Sequence, residues 1–337
     1  MHSQRSASLT RTVKCGTAES APCVVEGSKD GPAPGVPVIN YDAVIVGAGP
    51  AGLSAAILLG RCRRQTLVCD SGEYRNARSE AIHAFIGRDG THPDLLRERG
   101  RGELASYPSV ELRDIAVHTA RKAQTGFDVE LADGQEIHCR VLLLATGVVD
   151  ELPPLPGLDR CYGRSVFHCP YCDGWEQRDQ PIAVYGRGHR GAGLALELTT
   201  WSRDLILCTD GSDELDDRDR DRLARNGIAV EERRIAELCA DDGQLSAVRF
   251  VDGALLPRRA MFFITGQRER SGLAAALGCV FNAEGTVQTG ENESTNVARL
   301  FVAGDASRRA QLAIVAAAEG AQAASAINAV LLREDLQ

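Results

Sequence analysis

Asp42-Ala43-Val44-Ile45-Val46-Gly47-Ala48-Gly49-Pro50-Ala51-Gly52 decides the fold. A short apolar strand runs into three glycines spaced G-x-G-x-x-G, an apolar helix follows from Leu53 to Leu59, and a second strand, Thr66 to Cys69, closes on Asp70. Gly47 permits a tight turn, Gly49 lets backbone approach a pyrophosphate, and Gly52 lets helix pack on strand. The helix N-terminus, entered through Pro50 and Ala51, supplies N–H groups and positive potential. Asp70, roughly 20 residues beyond the turn, is placed to accept from a ribose hydroxyl. Strand, turn, helix, strand and acid together make a complete βαβ dinucleotide fingerprint.

The same architecture recurs downstream. Pro181 to Tyr185 reads as a strand, Gly186-Arg187-Gly188-His189-Arg190-Gly191 as a glycine turn, Ala192 to Thr200 as a helix and Leu205 to Cys208 as the return strand. Thr209 or Asp210 then lies where a ribose is read. Gly186, Gly188 and Gly191 are candidate pyrophosphate contacts. Between the two units, Asp94 to Leu104 has the charge density of an exposed helix, Glu111 to Val117 and Phe127 to Leu131 read as strands, and Asp133-Gly134 as a hairpin turn. Val141 to Ala145 is a buried-type strand ending at Thr146-Gly147, and Pro153, Pro154 and Pro156 mark a domain crossover. Later, Ala260 to Ile264 and Leu300 to Asp305 read as strands and Gln311 to Leu332 as one long alanine-rich helix. Asp305, following Gly304 at a strand's C-terminal end, faces the crevice where open α/β sheets bind ligands.

His168-Cys169-Pro170-Tyr171-Cys172-Asp173-Gly174-Trp175-Glu176 precedes the second unit. Two cysteines at this spacing can close a small disulfide ring, and Asp173 directly after the second could deliver a proton to a departing thiolate. The competing reading is half a zinc site, but there is no second C-x-x-C, and glycine-rich nucleotide signatures lie on both sides. Redox chemistry is the expectation, with no metal.

Composition bounds the rest. The chain has 337 residues, a 44% apolar fraction, a net charge of −8 and only 5% aromatics. That suits about two domains and argues against nucleic acid as a partner. No continuous apolar run reaches the ~20 residues of a membrane helix, so no membrane association is expected. Eleven cysteines without a spacing framework suit a reducing compartment, which makes the cytoplasm the default location. Residues 1–38, rich in Ser, Gly, Pro and Ala, read as a disordered extension, and Cys15 and Cys23 within it as chance occurrences. His83 and His92 are read as loop-packing residues rather than catalytic bases, and the run from Asp213 to Asp221 as a solvated helix face.

Taken in order, G-A-G-P-A-G, A-T-G, C-P-Y-C-D-G, G-R-G-H-R-G and A-G-D before an alanine-rich helix resemble the low-molecular-weight thioredoxin reductases, across roughly residues 41 to 333. The resemblance implies an α/β fold of two Rossmann-like, three-layer ββα nucleotide-binding domains, the second inserted in the first. Residues 39–150 and 266–337 would form an FAD domain, and 151–265 a pyridine-nucleotide-type domain carrying the redox pair. It further implies FAD held by Gly47, Gly49, Pro50, Ala51, Gly52, Asp70, Thr146, Gly147, Gly304, Asp305, Gln311 and Leu312. Cys172 would face the flavin, Cys169 would attack, Asp173 would act as acid, and the protein would be a homodimer. The partner would be a small protein or a small-molecule dithiol or disulfide.

Two departures carry weight. The family reads the 2′-phosphate of NADPH with a basic cluster, H-R-R followed by R, whereas Thr209-Asp210-Gly211 and acids stand here. An acid beside that ribose favours a free hydroxyl, so of the two nicotinamides NADH is expected to react faster than NADPH. The segment Cys69-Asp70-Ser71-Gly72-Glu73-Tyr74-Arg75-Asn76 is more similar to the dithiol oxidases, relatives that close disulfides in secondary metabolites and pass electrons to oxygen. Those commonly carry His after the second cysteine, where this chain keeps Asp173. A third reading, a flavin redox sensor, needs only slow chemistry at the pair.

Overall fold

The computed structural model describes residues 39–211, 214–307 and 310–337. The N-terminal extension, with Cys15 and Cys23, lies outside the described residues, as does Asp213. The first sheet comprises β1 (Ile39–Val46), β2 (Thr66–Cys69), β3 (Val110–Arg113), β4 (Val117–Lys122), β5 (Phe127–Leu131), β6 (Glu136–Leu144) and, far later in the chain, β17 (Leu300–Val302). Its order is β3-β2-β1-β6-β5-β4, with β17 also on β6. The central strands are parallel, and Ala43, Val44 and Ile45 of β1 and Leu142, Leu143 and Leu144 of β6 are buried, as expected for strands covered on both faces. In the antiparallel arm, Phe127, Val129 and Leu131 of β5 alternate with the less buried Asp128 and Glu130.

Helices α1 (Pro50–Arg61) and α2 (Pro93–Leu104) follow the first two strands, and α8 (Ala313–Asp335) closes the chain. By length and composition α8 could cross a bilayer, although the sequence shows no continuous apolar run of that length, Glu319, Gly320 and Gln322 interrupting the alanine-rich stretch. Its apolar face is instead spent inside the fold: Ala323, Ala324, Ile327 and Leu331 are fully buried in the core shared with α1. The approach is so close that a Cβ on Gly320 would lie 1.9 Å from the carbonyl oxygen of Ala51.

The chain leaves the first sheet by β7 (Val148–Glu151) and returns by β16 (Gly266–Glu269), and these two strands pair with each other as an antiparallel ribbon. Between them, after the short α3 (Leu158–Cys161), lie β8 (Val166–Phe167), α4 (Pro170–Asp173), β9 (Ile182–Tyr185), α5 (Gly188–Glu197), β10 (Leu205–Cys208), α6 (Asp217–Arg225), β11 (Ala229–Glu231), β12 (Ile235–Asp241), β13 (Gln244–Phe250), β14 (Leu255–Pro257) and β15 (Ala260–Phe263). A parallel sheet in the order β11-β10-β9-β15-β8 forms the second nucleotide-type fold, and β12-β13-β14 is a three-stranded antiparallel sheet beside it. A short helix, α7 (Leu273–Ala276), packs its buried Leu273 and Ala274 into the core of the first sheet.

Three expectations need correction. The strand read over Glu111 to Val117 is two strands, because β3 and β4 stand at opposite edges of the first sheet and the chain must leave one to reach the other. The helix read from Ala192 begins at Gly188, within the glycine turn, and its last turn, Leu198–Thr200, is 3-10. Asp219, assigned to a solvated face, is 1% exposed; its carboxylate meets His189 Nδ1 at 3.0 Å and pairs with Arg222 at 3.3 Å.

Candidate active site

One cavity of about 390 Å³ runs from the first glycine turn to the cysteine pair, within the range of small-molecule sites. Gly47, Gly49, Pro50, Ala51, Asp70, Thr146, Gly147, Gly304, Asp305, Gln311 and Leu312 all line it, as do Cys169, Cys172 and Asp173. Gly52 lies beneath the turn, where a Cβ would meet the carbonyl oxygen of Gly47 at 1.8 Å. Gly47 itself has φ +105° and passes so near Ala145 that a side chain would clash. Gly49 has open space where a Cβ would stand, so its backbone is free to meet a ligand. Asp70 is 3% exposed. Its Oδ2 is taken by Arg101 at 2.7 Å and by the hydroxyl of Tyr74, whereas Oδ1 accepts only long contacts from the N–H groups of Ala48 and Gly72 (3.4 and 3.3 Å). Oδ1 is therefore the oxygen left for a ribose hydroxyl.

Cys169 and Cys172 are joined as a disulfide with their Cα atoms 5.3 Å apart. Pro170 starts α4 directly after Cys169, so the fixed proline φ sets the turn that brings the two thiols together. Burial, with a smaller push from Glu176, raises the Asp173 carboxyl to about 7. On the outer side, Tyr171 and Trp175 are 67% and 64% exposed. Trp201 meets Tyr171 edge-on at 5.7 Å, and a Cβ on Gly174 would lie 2.8 Å from the Trp201 ring. His83 lines the cavity and stands 3.6 Å from Glu176, while His92 caps α2 by accepting from the Asp94 N–H.

The least expected feature is Arg75. All five of its N–H donors are used: Nε and one Nη2 hydrogen go to Asp150 (2.8 and 2.7 Å), Nη1 serves Asp305 (2.8 Å) and Gln311 (2.6 Å), and the other Nη2 hydrogen meets His168 Nε2 at 3.1 Å. Arginine cannot accept, so His168 Nε2 presents its lone pair and Nδ1 carries the hydrogen, which is donated to the Tyr162 hydroxyl at 3.0 Å. That hydroxyl in turn donates to Asp150 at 3.2 Å. The ring of bonds closes. Burial lowers the His168 pKa, and Arg75 adds to that against the pull of Asp150 and Asp305, so the imidazole is neutral. Burial alone would raise the Asp150 carboxyl, but the Arg75 guanidinium, with the hydrogen bond from Tyr162, holds it below its usual range. Nothing in sequence spacing joins positions 75, 150, 162, 168 and 305, and of these the sequence reading singled out only Asp305.

The second glycine turn lies outside this cavity. Gly186 and Gly191 touch backbone to backbone, and Gly188 has φ +54°. Arg187 folds back from the turn onto the end of β10, where Nε and Nη2 donate to the carbonyls of Thr209 and Asp210, each at 2.8 Å. Asp210 does not present a free carboxylate, since Oδ1 accepts from the Ile235 N–H at 2.8 Å and Oδ2 stands 3.7 Å from Arg187. The sequence places Asp210 at the ribose position without a cation beside it; the structure sets Arg187 there.

Residues 41–320, spanning both glycine turns and the cysteine pair, match the pyridine nucleotide-disulphide oxidoreductase family. The chain belongs to this family. Within the family it is an oxidoreductase of thioredoxin reductase type. It is 36% identical to the "Probable thioredoxin reductase" of Arthroderma benhamiae over 58% of this chain, and spans about half, 48%, of that protein. It is 32% identical to thioredoxin reductase tcpT of Claviceps purpurea over 78% of this chain and 86% of that one. The crystal structure of an oxidoreductase from Agrobacterium tumefaciens superposes with a TM-score of 0.82 at 33% identity, covering 87% of this chain and 99% of that one. Membership of the pyridine nucleotide-disulphide oxidoreductases implies a flavin, a nicotinamide nucleotide and a disulfide-bearing substrate.

Proposed function

We propose that this chain is an FAD-dependent thiol-disulfide oxidoreductase in which Cys169 and Cys172 exchange two electrons with an external thiol or disulfide. The observation that carries this is the position of the disulfide in the wall of the cavity that begins at Gly47. The open backbone at Gly49, the free oxygen of Asp70 and the strand-end Asp305 fit a dinucleotide flavin. Ala48 and Gly49 would take the pyrophosphate, and Asp70 the ribose. When bound, the flavin supplies a two-electron store next to the pair.

The exchange step balances at the cysteines alone. An external dithiolate attacks Cys169 Sγ, the Cys169–Cys172 bond breaks, and Cys172 leaves as thiolate. The second substrate sulfur then displaces Cys169, and the substrate becomes a disulfide. Two electrons have reached the pair, and the protons that complete its thiols come from Asp173 and solvent. Run backwards, the same steps reduce an external disulfide. Asp173, protonated below about pH 7, is the group that gives a proton to the leaving Cys172 sulfur. As pH rises through 7 that proton is lost, and the rate per attacking thiolate falls. Asp173→Asn is expected to slow exchange by roughly ten- to a thousandfold and to flatten this limb. Stopped-flow reduction by a dithiol between pH 5 and 9 reads both, and an unchanged rate and profile would return Asp173 to a turn residue.

A second reading, a dithiol oxidase that passes electrons to oxygen, draws on the second turn. There Arg187 covers the end of β10 and the Glu214 carbonyl oxygen lies 3.4 Å from where a Cβ on Gly188 would stand. One experiment separates the readings. The purified protein is expected to be yellow and to release free FAD on denaturation. Under anaerobic conditions, NADH should bleach the flavin faster than NADPH. Bleaching by neither, with peroxide formed from a dithiol under air, would select the oxidase, and a supernatant without flavin would remove both readings.

A further inference from the structure

We propose that Arg75, acting through His168, is the positioning residue that holds the Cys169–Cys172 disulfide against the flavin cavity; the inference rests on the flavin reading above. Arg75 lies in the loop after β2, Asp150 in β7, and Asp305 and Gln311 between β17 and α8. All four belong to the first sheet or its connecting ribbon. His168 and Tyr162 belong instead to the arm that carries the pair, and His168 is joined to Cys169 by a peptide bond. The arm can move away from the first sheet only by breaking the Arg75–His168 and Tyr162–Asp150 contacts together.

The polarity of the network makes the contact selective. His168 must accept at Nε2 and donate at Nδ1, so its replacement needs one acceptor and one donor on a short planar group. With side-chain exposures of 15% for Arg75 and 5% for Asp150, water competes poorly for either partner. Because Arg75 keeps four of its five bonds when His168 is changed, the first sheet retains its charge balance. A variant at His168 therefore loosens the pair without dismantling the cavity wall.

The test uses flavin-loaded protein, the variants His168→Leu and His168→Gln, and anaerobic dithiothreitol as reductant. Dithiothreitol gives two electrons and two protons to the disulfide and closes into its own ring. Electrons then bleach oxidised flavin as the Cys169–Cys172 bond re-forms. Two signals are followed: protein thiols trapped by alkylation and counted by mass, and flavin absorbance. In His168→Leu, thiols are expected at an unchanged rate while bleaching slows by about 10²-fold, the scale of an ångström-sized misplacement. His168→Gln, with one donor and one acceptor, should recover most of the loss. Normal bleaching in His168→Leu overturns the proposal alone. Thiol formation and bleaching falling together would also overturn it, as would failure of the glutamine to recover more than leucine. If the unmodified protein forms thiols but never bleaches, the flavin-disulfide reading itself fails, and the proposal with it.

Discussion

Cys172→Ser is expected to abolish dithiol turnover, by at least about 10³-fold, and to convert Cys169 into a trap. With no second thiol to displace it, a mixed disulfide formed at Cys169 has no intramolecular exit. Incubation with an aromatic disulfide such as 5,5′-dithiobis(2-nitrobenzoate) should release one thiol and leave a stable adduct on the Cys169 peptide, identified by mass. Cys169→Ser should lose turnover equally, yet its remaining Cys172 should label at least about tenfold more slowly if Cys169 is the sulfur that meets substrate. Equal labelling of the two variants would remove the assignment of attacking and flavin-side roles while leaving the pair as the redox centre. The half-buried Cys62 and Cys239 make the peptide-level readout necessary.

Arg75→Ala is expected to carry the largest cost in stability, about 3–5 kcal/mol, because it leaves the buried Asp150 and the partly buried Asp305 carboxylates without their counter-charge. Asp150 and Asp305, with side chains 5% and 20% exposed, would face each other's environment as uncompensated anions. Burial disfavours the Arg75 charge, but the two carboxylates outweigh it and raise the guanidinium pKa. Arg75→Lys should recover little, since an ammonium offers three donors from one point where five are needed in a planar fork. Urea unfolding at a constant slope measures the effect. A loss below about 1 kcal/mol would show that the network contributes geometry and little energy.

The fold was legible because its signals are local. Strand, glycine turn and helix lie within thirty or so residues of each other, and the close approaches at Gly47 and Gly52 need glycine for reasons visible in the spacing itself. The cysteine pair was legible for the same reason. What sequence could not supply is pairing across distance: Arg75 reads as one arginine in a loop, and its five acceptor atoms lie on four residues in three separate segments. Asp70 illustrates the intermediate case. Its place at the strand end followed from spacing, but its commitment to Arg101 of α2 did not. At Asp210 the position was read and the orientation was not, because the Ile235 N–H that claims it belongs to a strand 25 residues on.

The two tryptophans of this chain, Trp175 and Trp201, both stand beside α4, one exposed next to the pair and one packed under Tyr171 and Gly174. All indole emission therefore originates at one corner of a 337-residue protein. A disulfide quenches nearby excited indoles by accepting an electron, and a pair of thiols does so far less. The native chain is thus its own optical probe of whether the Cys169–Cys172 bond is open, without a label and even after the flavin has been stripped. By the same geometry, denaturation followed through tryptophan reports the loosening of the redox arm, and circular dichroism is needed to see the sheets behind it.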